Sequence, residues 1–182
     1  FRLLQGDVGS GKTIVALISA LNTINSGFQV AVMAPTEILA RQHFELAKKI
    51  FPNNFQIELI SGKSEYKTKK SILKKLENHT IDIIFGTHAI FQNKVIFKNL
   101  GLIIIDEQHK FGVNQRKRLS DKGGSECDVL LMTATPIPRT LTMTIYGDMD
   151  ISIIREKPKN RKKIKTYSKL ESKINDVLKF IS

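Results

Sequence analysis

Short apolar runs alternate along this chain with longer segments whose apolar residues recur at helical spacing. Runs of this kind are typical of parallel strands that are covered on both faces. Strands that alternate with helices predict right-handed crossovers, and therefore an α/β fold with a mostly parallel sheet and helices on both faces. The predicted strands are Arg2 to Gln5, Phe28 to Ala34, Phe55 to Ile60, Ile81 to Phe85, Leu102 to Ile105, Val129 to Met132 and Ile151 to Ile154.

Three of the segments between the runs predict amphipathic helices. The first helix is expected to bury Ile14, Ile18 and Leu21, and Gly27 is expected to end it. The second carries an apolar stripe, and the third, from about Ser64 to Asn78, is rich in lysine. The second helix is marked by Ile38, Leu39, Gln42, Leu46 and Ile50. The third is expected to expose Lys67, Lys70 and Lys74.

The segment from Gly6 to Thr13 joins the first strand to the first helix and fits G-x-x-x-x-G-K-[ST] in full. Its three glycines let backbone N–H groups turn inward around a polyphosphate. Lys12 supplies a positive charge for the β- and γ-phosphates, and Thr13 supplies a hydroxyl for Mg²⁺ at the N-terminus of the helix. The predicted nucleotide-binding residues are Gly6, Asp7, Val8, Gly9, Ser10, Gly11, Lys12 and Thr13, of which Lys12 also serves catalysis.

A pair of carboxylates follows the buried strand Leu102 to Ile105. Asp106 is expected to hold Mg²⁺ directly or through water, and Glu107 to polarise the water that attacks the γ-phosphate. In parallel sheets, ligands bind at the carboxyl ends of the strands. The polar groups that follow the strands should therefore share one side of the sheet, here named the carboxyl edge: Gly6 to Thr13, Pro35-Thr36, Ser61-Gly62, Gly86-Thr87-His88, Asp106-Glu107 and Thr133-Ala134-Thr135.

Several residues of the carboxyl edge allow more than one interpretation. Thr133 and Thr135 are expected at this edge, but they are equally suited to cap a helix before Pro136. His109 lacks a partner at metal-ligand spacing and is better read as a hydrogen-bonded link from the nucleotide to the next motif. Nucleic-acid backbone contacts are predicted only weakly from spacing, for Pro35, Thr36, Thr87, His88 and the lysine-rich helix.

Composition is that of one ordinary globular domain, with a strong positive charge. The 182 residues carry a formal net charge of +12, which suggests a polyanionic partner. Nine basic residues and two acidic ones lie between Arg155 and Lys173, so much of this charge belongs to a tail that is equally suited to be a solvated linker. No run approaches a membrane span, and the lone Cys127 fits a reducing cytoplasm.

Together these blocks resemble the first motor domain of superfamily 2 helicases of the DEAD/DEAH-like kind. Gly6 to Thr13 resembles motif I, Ala34 to Ala40 motif Ia, Gly86 to Ala89 motif Ib, Asp106 to His109 motif II and Thr133 to Thr135 motif III. Longer strings are similar to the RecG family of bacterial branch-migration helicases and to the related transcription-repair coupling factors. Those strings are Arg2 to Gly9, Phe111-Gly112-Val113 with Gln115-Arg116, and Thr133 to Leu141.

The resemblance implies a RecA-like P-loop NTPase domain over residues 1–157, followed at 158–182 by a linker and the start of a second motor domain. It implies a bacterial, cytoplasmic, monomeric helicase that uses ATP and Mg²⁺ to move on branched or duplex DNA at stalled forks and Holliday junctions, in recombination and repair. A wedge domain and the rest of the second motor domain would belong to the same protein. The residues it assigns to coupling ATP with DNA are His109, Thr133 and Thr135, and those along the DNA path are Pro35, Thr36, Thr87 and His88.

The same resemblance limits what the chain alone is expected to do. Without the arginine finger of a second motor domain, it should bind Mg·ATP but hydrolyse it poorly. Two alternatives remain: the motor domain of a transcription-repair coupling factor, and a non-catalytic DNA-binding remnant of a helicase.

Overall fold

The computed structural model describes residues 1–62, 66–106, 127–135, 149–156, 166, 168 and 170–181. In these ranges every predicted strand is present, shifted by at most two residues at either end. The elements are β1 Arg2–Gly6, α1 Lys12–Asn25, β2 Gln29–Met33, α2 Glu37–Ile50, β3 Ile57–Ile60, α3 Tyr66–Glu77, β4 Ile83–Gly86, β5 Leu100–Ile105, β6 Asp128–Thr133, β7 Asp150–Ile154 and α4 Ile174–Ile181, with short 3₁₀ helices at His88–Phe91 and Glu171–Lys173.

The strands form one sheet in the order β3-β4-β2-β5-β6-β1-β7, and all paired neighbours are parallel. The predicted α/β class with a parallel sheet is therefore confirmed. Because every strand points the same way, the segments that follow the strands emerge on one side, as expected for the carboxyl edge. The order also places the end of β6 between the ends of β1 and β5, where the two most specific motifs begin.

Helices cover both faces of the sheet, and β5 shows the division. Ile103 and Ile105 belong to the core that includes Leu76 of α3, whereas Leu102 and Ile104 belong to the core that includes Leu17 of α1. Successive residues of a strand point to opposite faces, so a strand that is buried on both faces needs an apolar residue at nearly every position. This requirement explains why the runs found in the sequence lack the polar alternation of an amphipathic strand.

The buried face predicted for α1 is wrong at two of its three positions. Ile14 and Ile18 are 42% and 55% exposed, whereas Leu21 is half-buried and packs against the core. The buried residues of the helix are Ala16, Leu17, Ala20 and Ile24. The helix is apolar on nearly all sides, so spacing alone fits more than one face. In the structure the sheet selects the side with two alanines, because small side chains let a helix lie close to the strands beneath it.

The stripe predicted for α2 is corrected in part. Ile38, Gln42 and Ile50 are exposed, whereas Leu39 and Leu46 are half-buried and Leu46 packs against the core. The buried positions are Ala40, His43 and Ala47. The helix itself is confirmed, with Thr36 as its N-cap and Phe51 as its C-cap. The lysine-rich helix is also confirmed as α3, whose predicted lysines at 67, 70 and 74 are exposed.

The side-chain amide of Gln29 links three elements near the amino ends of the strands, on the side of the sheet opposite the carboxyl edge. Gln29 is fully buried, and its Nε2 donates to the carbonyl oxygens of Leu76 and Ile81 at 3.0 and 2.9 Å. Its Oε1 accepts from the backbone N–H groups of Lys98 and Asn99 at 2.9 and 3.1 Å. One side chain therefore satisfies backbone groups at the end of α3, before β4 and before β5.

Cys127 stands at the head of β6 and packs partly buried against the core on the α3 side. Burial, and secondarily the charge of Asp128, raises the pKa of the Cys127 thiol to about 11. The side chain is therefore an uncharged thiol at neutral pH and packs as a small apolar residue.

Candidate functional site

The loop between β1 and α1 needs its glycines for two different reasons. Gly9 and Gly11 have φ angles of 79° and 94°, in the left-handed region that side chains disfavour. Gly6 is needed for space instead, because a Cβ there would lie 2.6 Å from Ser10 Oγ and 3.1 Å from the Cβ of Ile154. Two of the three glycines thus supply the turn of this loop, and the third supplies room for it.

Lys12 and Ser10 show that this loop fits an anionic group. Lys12 Nζ donates to the carbonyl oxygens of Gly6 and Asp7 at 2.8 and 3.0 Å, which holds the ammonium over its own loop. Within the described residues, Ser10 Oγ is buried and has no hydrogen-bond partner. A buried hydroxyl in this state costs about 1 to 3 kcal/mol, which phosphate oxygens in the loop would offset.

Asp106 follows β5, two strand positions away from the loop. At the usual strand spacing, the backbones of β5 and β1 are separated by about 10 Å across β6. The Asp106 residue is buried. Thr13 is half-buried in the first turn of α1. The two residues predicted to bind Mg²⁺ therefore lie at the same edge, and a carboxylate and a hydroxyl are ligands that this ion accepts.

Thr133 ends β6 in the gap between the loop and Asp106. It is fully buried, pairs in register with Gln5 of β1, and its Oγ1 lies 3.0 Å from Thr135 Oγ1. Thr133 Oγ1 also accepts from the backbone N–H of Thr135 at 3.2 Å. The two hydroxyls predicted to couple ATP with DNA are thus in contact with each other at the carboxyl edge, at the end of the strand that separates β5 from β1.

A buried pair that the sequence did not reveal joins α2 to Asp106. His43 Nε2 lies 2.8 Å from Asp106 Oδ2, and the two side chains are 10% and 13% exposed. The partners are 63 positions apart, so no local spacing connects them. One signal was available: His43 lies three residues after Ala40 and four before Ala47, on the face that α2 buries.

The candidate DNA contacts lie at the ends of the adjacent strands β2 and β4. Thr36 is exposed, and its Oγ1 caps α2 by accepting from the backbone N–H of Leu39 at 3.3 Å. Thr87 is only 8% exposed, whereas His88 is exposed at the start of a 3₁₀ helix. A contact at the end of β4 would therefore fall mainly to His88, and Pro35, half-buried, lies beside Thr36.

Other predicted features fall outside the described residues. They include Glu107, His109, the strings from Phe111 to Arg116 and from Pro136 to Leu141, and the domain boundary between residues 157 and 158. Their assignments stay predictions. Among the residues that are described, no cluster of three or more histidine, cysteine or acidic side chains is placed to hold a metal ion. No described helix is long and apolar enough to cross a membrane.

A parallel sheet with a glycine-rich loop after one strand, and a buried carboxylate after the strand two positions away, is the arrangement expected of RecA-like P-loop NTPase domains. Residues 2–144 match the DEAD/DEAH box helicase family, and the chain belongs to that family.

The chain is also similar in sequence to individual DNA helicases of the RecG type. The chain is 54% identical over 165 residues to the ATP-dependent DNA helicase RecG of Staphylococcus epidermidis, which covers 91% of this chain and 24% of that protein. It is 52% identical over 180 residues to RecG of Aquifex aeolicus, covering 98% of this chain and 23% of that protein. The chain thus spans about a quarter of the length of these curated relatives.

Solved structures agree with this result. A structure of RecG bound to a three-way DNA junction superposes with a TM-score of 0.81 at 43% identity, over 99% of this chain and 24% of that one. A DEAD box protein from Methanococcus jannaschii gives a TM-score of 0.67 at 23% identity, over 85% of this chain and 46% of that one. The second likeness concerns the fold alone.

Proposed function

We propose that this chain is the ATP-binding motor module of a DNA helicase that remodels branched DNA. The observation that carries the proposal is the geometry of one edge. The Lys12 ammonium and the Ser10 hydroxyl, which has no hydrogen-bond partner in the part of the chain that the structure describes, lie in the glycine-rich loop after β1. The buried Asp106 carboxylate follows a nearby strand of the same sheet. Membership of the DEAD/DEAH box family supports the same function, as does the 54% sequence identity to RecG of Staphylococcus epidermidis.

The roles proposed for the ATP site follow from the chemistry of its side chains. The loop from Gly6 to Thr13 binds the phosphates, and the positive charge of Lys12 stabilises the negative charge of the γ-phosphate. Thr13 and Asp106 would hold Mg²⁺, which neutralises phosphate charge when bound. Glu107 is proposed to orient and deprotonate the attacking water.

The roles proposed for DNA contact rest on the neighbouring strands. The ends of β2 and β4 are joined by the backbone N–H of Ala34, which donates to Gly86 oxygen at 2.9 Å. We therefore propose that one stretch of DNA backbone contacts Pro35, Thr36, Thr87 and His88. Such contacts position the DNA strand and do not depend on its base sequence. The solved RecG relative is bound to a three-way junction, which favours branched DNA as the partner here.

Thr133, Thr135 and His109 are proposed to couple the two regions. Thr133 supports this role by its place between the phosphate loop and Asp106 in the sheet order. A wedge domain and a second motor domain are proposed as parts of the same functional protein, working as a monomer in the bacterial cytoplasm in DNA recombination and repair.

Lys12→Ala should lower the affinity for Mg·ATP by about tenfold to a hundredfold. A hydrogen bond to a charged group contributes about 1.5 to 3 kcal/mol, and each 1.4 kcal/mol is a factor of ten in the dissociation constant. Titration with a fluorescent ATP analogue measures the change. Lys49→Ala, at an exposed lysine of α2, is the matched control and should bind as the native chain does. Equal affinity in the native chain and Lys12→Ala would refute the proposed function.

Thr36→Asp should weaken binding to a three-way junction by about threefold to tenfold. Aspartate keeps the N-cap acceptor that α2 needs, so the helix stays intact, but it adds a negative charge that repels DNA phosphates. Salt titration of junction binding measures the effect, with Thr36→Ser as the control. If affinity falls only when Arg161, Lys162, Lys163 and Lys165 are replaced by Gln, attraction is diffuse and the proposed edge is not the contact.

A further inference from the structure

We propose that His43 is a positioning residue for Asp106, and that it ties this carboxylate to the segment proposed to contact DNA. The inference rests on the proposed function, since it concerns the carboxylate that would hold Mg²⁺. It goes beyond that function because neither the phosphate loop nor the helicase motifs at the carboxyl edge assign a role to His43.

The contact itself defines what His43 does. His43 Nε2 and Asp106 Oδ2 lie 2.8 Å apart, and a carboxylate that ligates a cation can only accept hydrogen bonds, so we assign the proton to His43 Nε2. A carboxylate has about four lone-pair sites, so the bond from His43 restrains its orientation while occupying only one of them. Both side chains are nearly buried, which makes the bond stronger than it would be in water.

The backbone of Asp106 is held by the same part of the chain. Its N–H donates to the carbonyl oxygen of Met33 at 2.9 Å, at the end of β2. From Met33 the chain passes through Pro35 to Thr36, which caps α2, and His43 follows about two turns later. The segment from Met33 to His43 therefore holds Asp106 at both its backbone and its side chain.

This arrangement connects the two proposed binding regions. Pro35 and Thr36 lie in the middle of the segment from Met33 to His43, at the surface proposed for DNA. Ala40 and Ala47 are almost fully buried one turn on either side of His43, so the imidazole has little room to move independently of α2. A displacement of α2 by DNA would be passed on to the Asp106 carboxylate through His43.

A role limited to stability does not account for a histidine at this position. Ala40 and Ala47 already anchor the helix without polar groups, and an apolar residue between them would avoid the desolvation cost of a buried polar pair. The reason for a donor is the carboxylate itself. Asp106 is buried, and a buried polar group needs hydrogen bonds to offset its lost hydration, while a donor beside a metal ligand also fixes its orientation.

The test measures how much Mg²⁺ the chain needs to bind a fluorescent ATP analogue. In His43→Leu, the Mg²⁺ concentration for half-maximal binding should rise by about tenfold to a hundredfold, the loss usual for a partner of a metal ligand. Binding without Mg²⁺, in excess chelator, should not change. His43→Gln should restore the native Mg²⁺ midpoint to within about threefold, because its amide offers an N–H at a reach similar to Nε2.

Control variants separate positioning from stability. Gln42→Leu, at the exposed neighbouring position of α2, should leave the Mg²⁺ midpoint unchanged. His43→Phe keeps an aromatic ring but has no hydrogen-bond donor, so its Mg²⁺ midpoint should match that of His43→Leu. If His43→Leu does not fold, His43→Phe takes its place in the test. A residue that only stabilises the fold would lower the melting temperature without moving the Mg²⁺ midpoint, and that result would overturn the inference.

Three other outcomes also decide the matter. An equal rise in the Mg²⁺ midpoint for His43→Leu and His43→Gln would overturn the inference, because only one of them lacks the donor. Native, Mg²⁺-dependent binding that Lys12→Ala weakens, with no shift in either His43 variant, rejects the positioning role and leaves the proposed function standing. A native chain without Mg²⁺-dependent ATP binding overturns both.

Discussion

A second motor domain joined to the carboxyl end of this chain should raise the rate of ATP turnover by about 10³- to 10⁵-fold in the presence of branched DNA. The factor is the contribution of an arginine finger, which neutralises charge on the phosphoryl group in the transition state. The site described here holds Lys12 and Asp106 at one edge of the sheet, which suits binding of the nucleotide. Binding without the finger leaves most of the barrier in place.

Turnover is measured by phosphate release at saturating ATP, with and without a three-way junction. Glu107→Gln in the joined protein is the matched control: it should bind ATP and lose turnover, because the amide cannot accept a proton. Replacing the finger arginine by alanine should return the rate to that of the single chain. No gain on joining the domains would instead favour a non-catalytic DNA-binding remnant.

Gln29→Leu should lower the free energy of unfolding by about 3 to 5 kcal/mol. The substitution leaves the carbonyl oxygens of Leu76 and Ile81 and the N–H groups of Lys98 and Asn99 without their present partner. Each buried group that loses its bond costs about 1 to 3 kcal/mol, and partial access of water to the half-buried sites reduces the sum. The effect is large because one amide serves three elements.

Urea denaturation followed by circular dichroism measures this change. Gln42→Leu makes the same chemical change at an exposed position of α2, and its unfolding free energy should stay within about 0.5 kcal/mol of the native value. A loss below about 1 kcal/mol for Gln29→Leu would mean that water replaces the amide, and that the bonds of Gln29 do not hold α3, β4 and β5 together.

The strands and the phosphate loop were predictable because their signals are local. Each strand is a run of apolar residues next to a turn, and a strand buried on both faces must have this composition whatever its neighbours are. The loop needs glycine at Gly9 and Gly11 because the backbone itself adopts positive φ there. The rule that parallel strands share a carboxyl edge then placed Asp106 and Thr133 on the side of the loop.

The buried faces of the helices were not predictable from the same pattern. Ile14 and Ile18 fit a helical stripe, yet the sheet packs against Ala16, Leu17 and Ala20. A hydrophobic pattern identifies a face only when the opposite face is polar, and α1 has no such face. Close packing then selects the side by shape, and shape depends on strands that are distant in sequence.

The sequence by itself determined the class of fold, the order of the strands along the chain and the residues of the phosphate loop. These features depend on backbone geometry and on apolar burial, which short segments of sequence specify. Only the tertiary structure decided which distant groups meet. The pairing of His43 with Asp106 and the four bonds of Gln29 join residues far apart in the chain. Such contacts depend on how α2 and α3 cross the sheet, which no local spacing specifies.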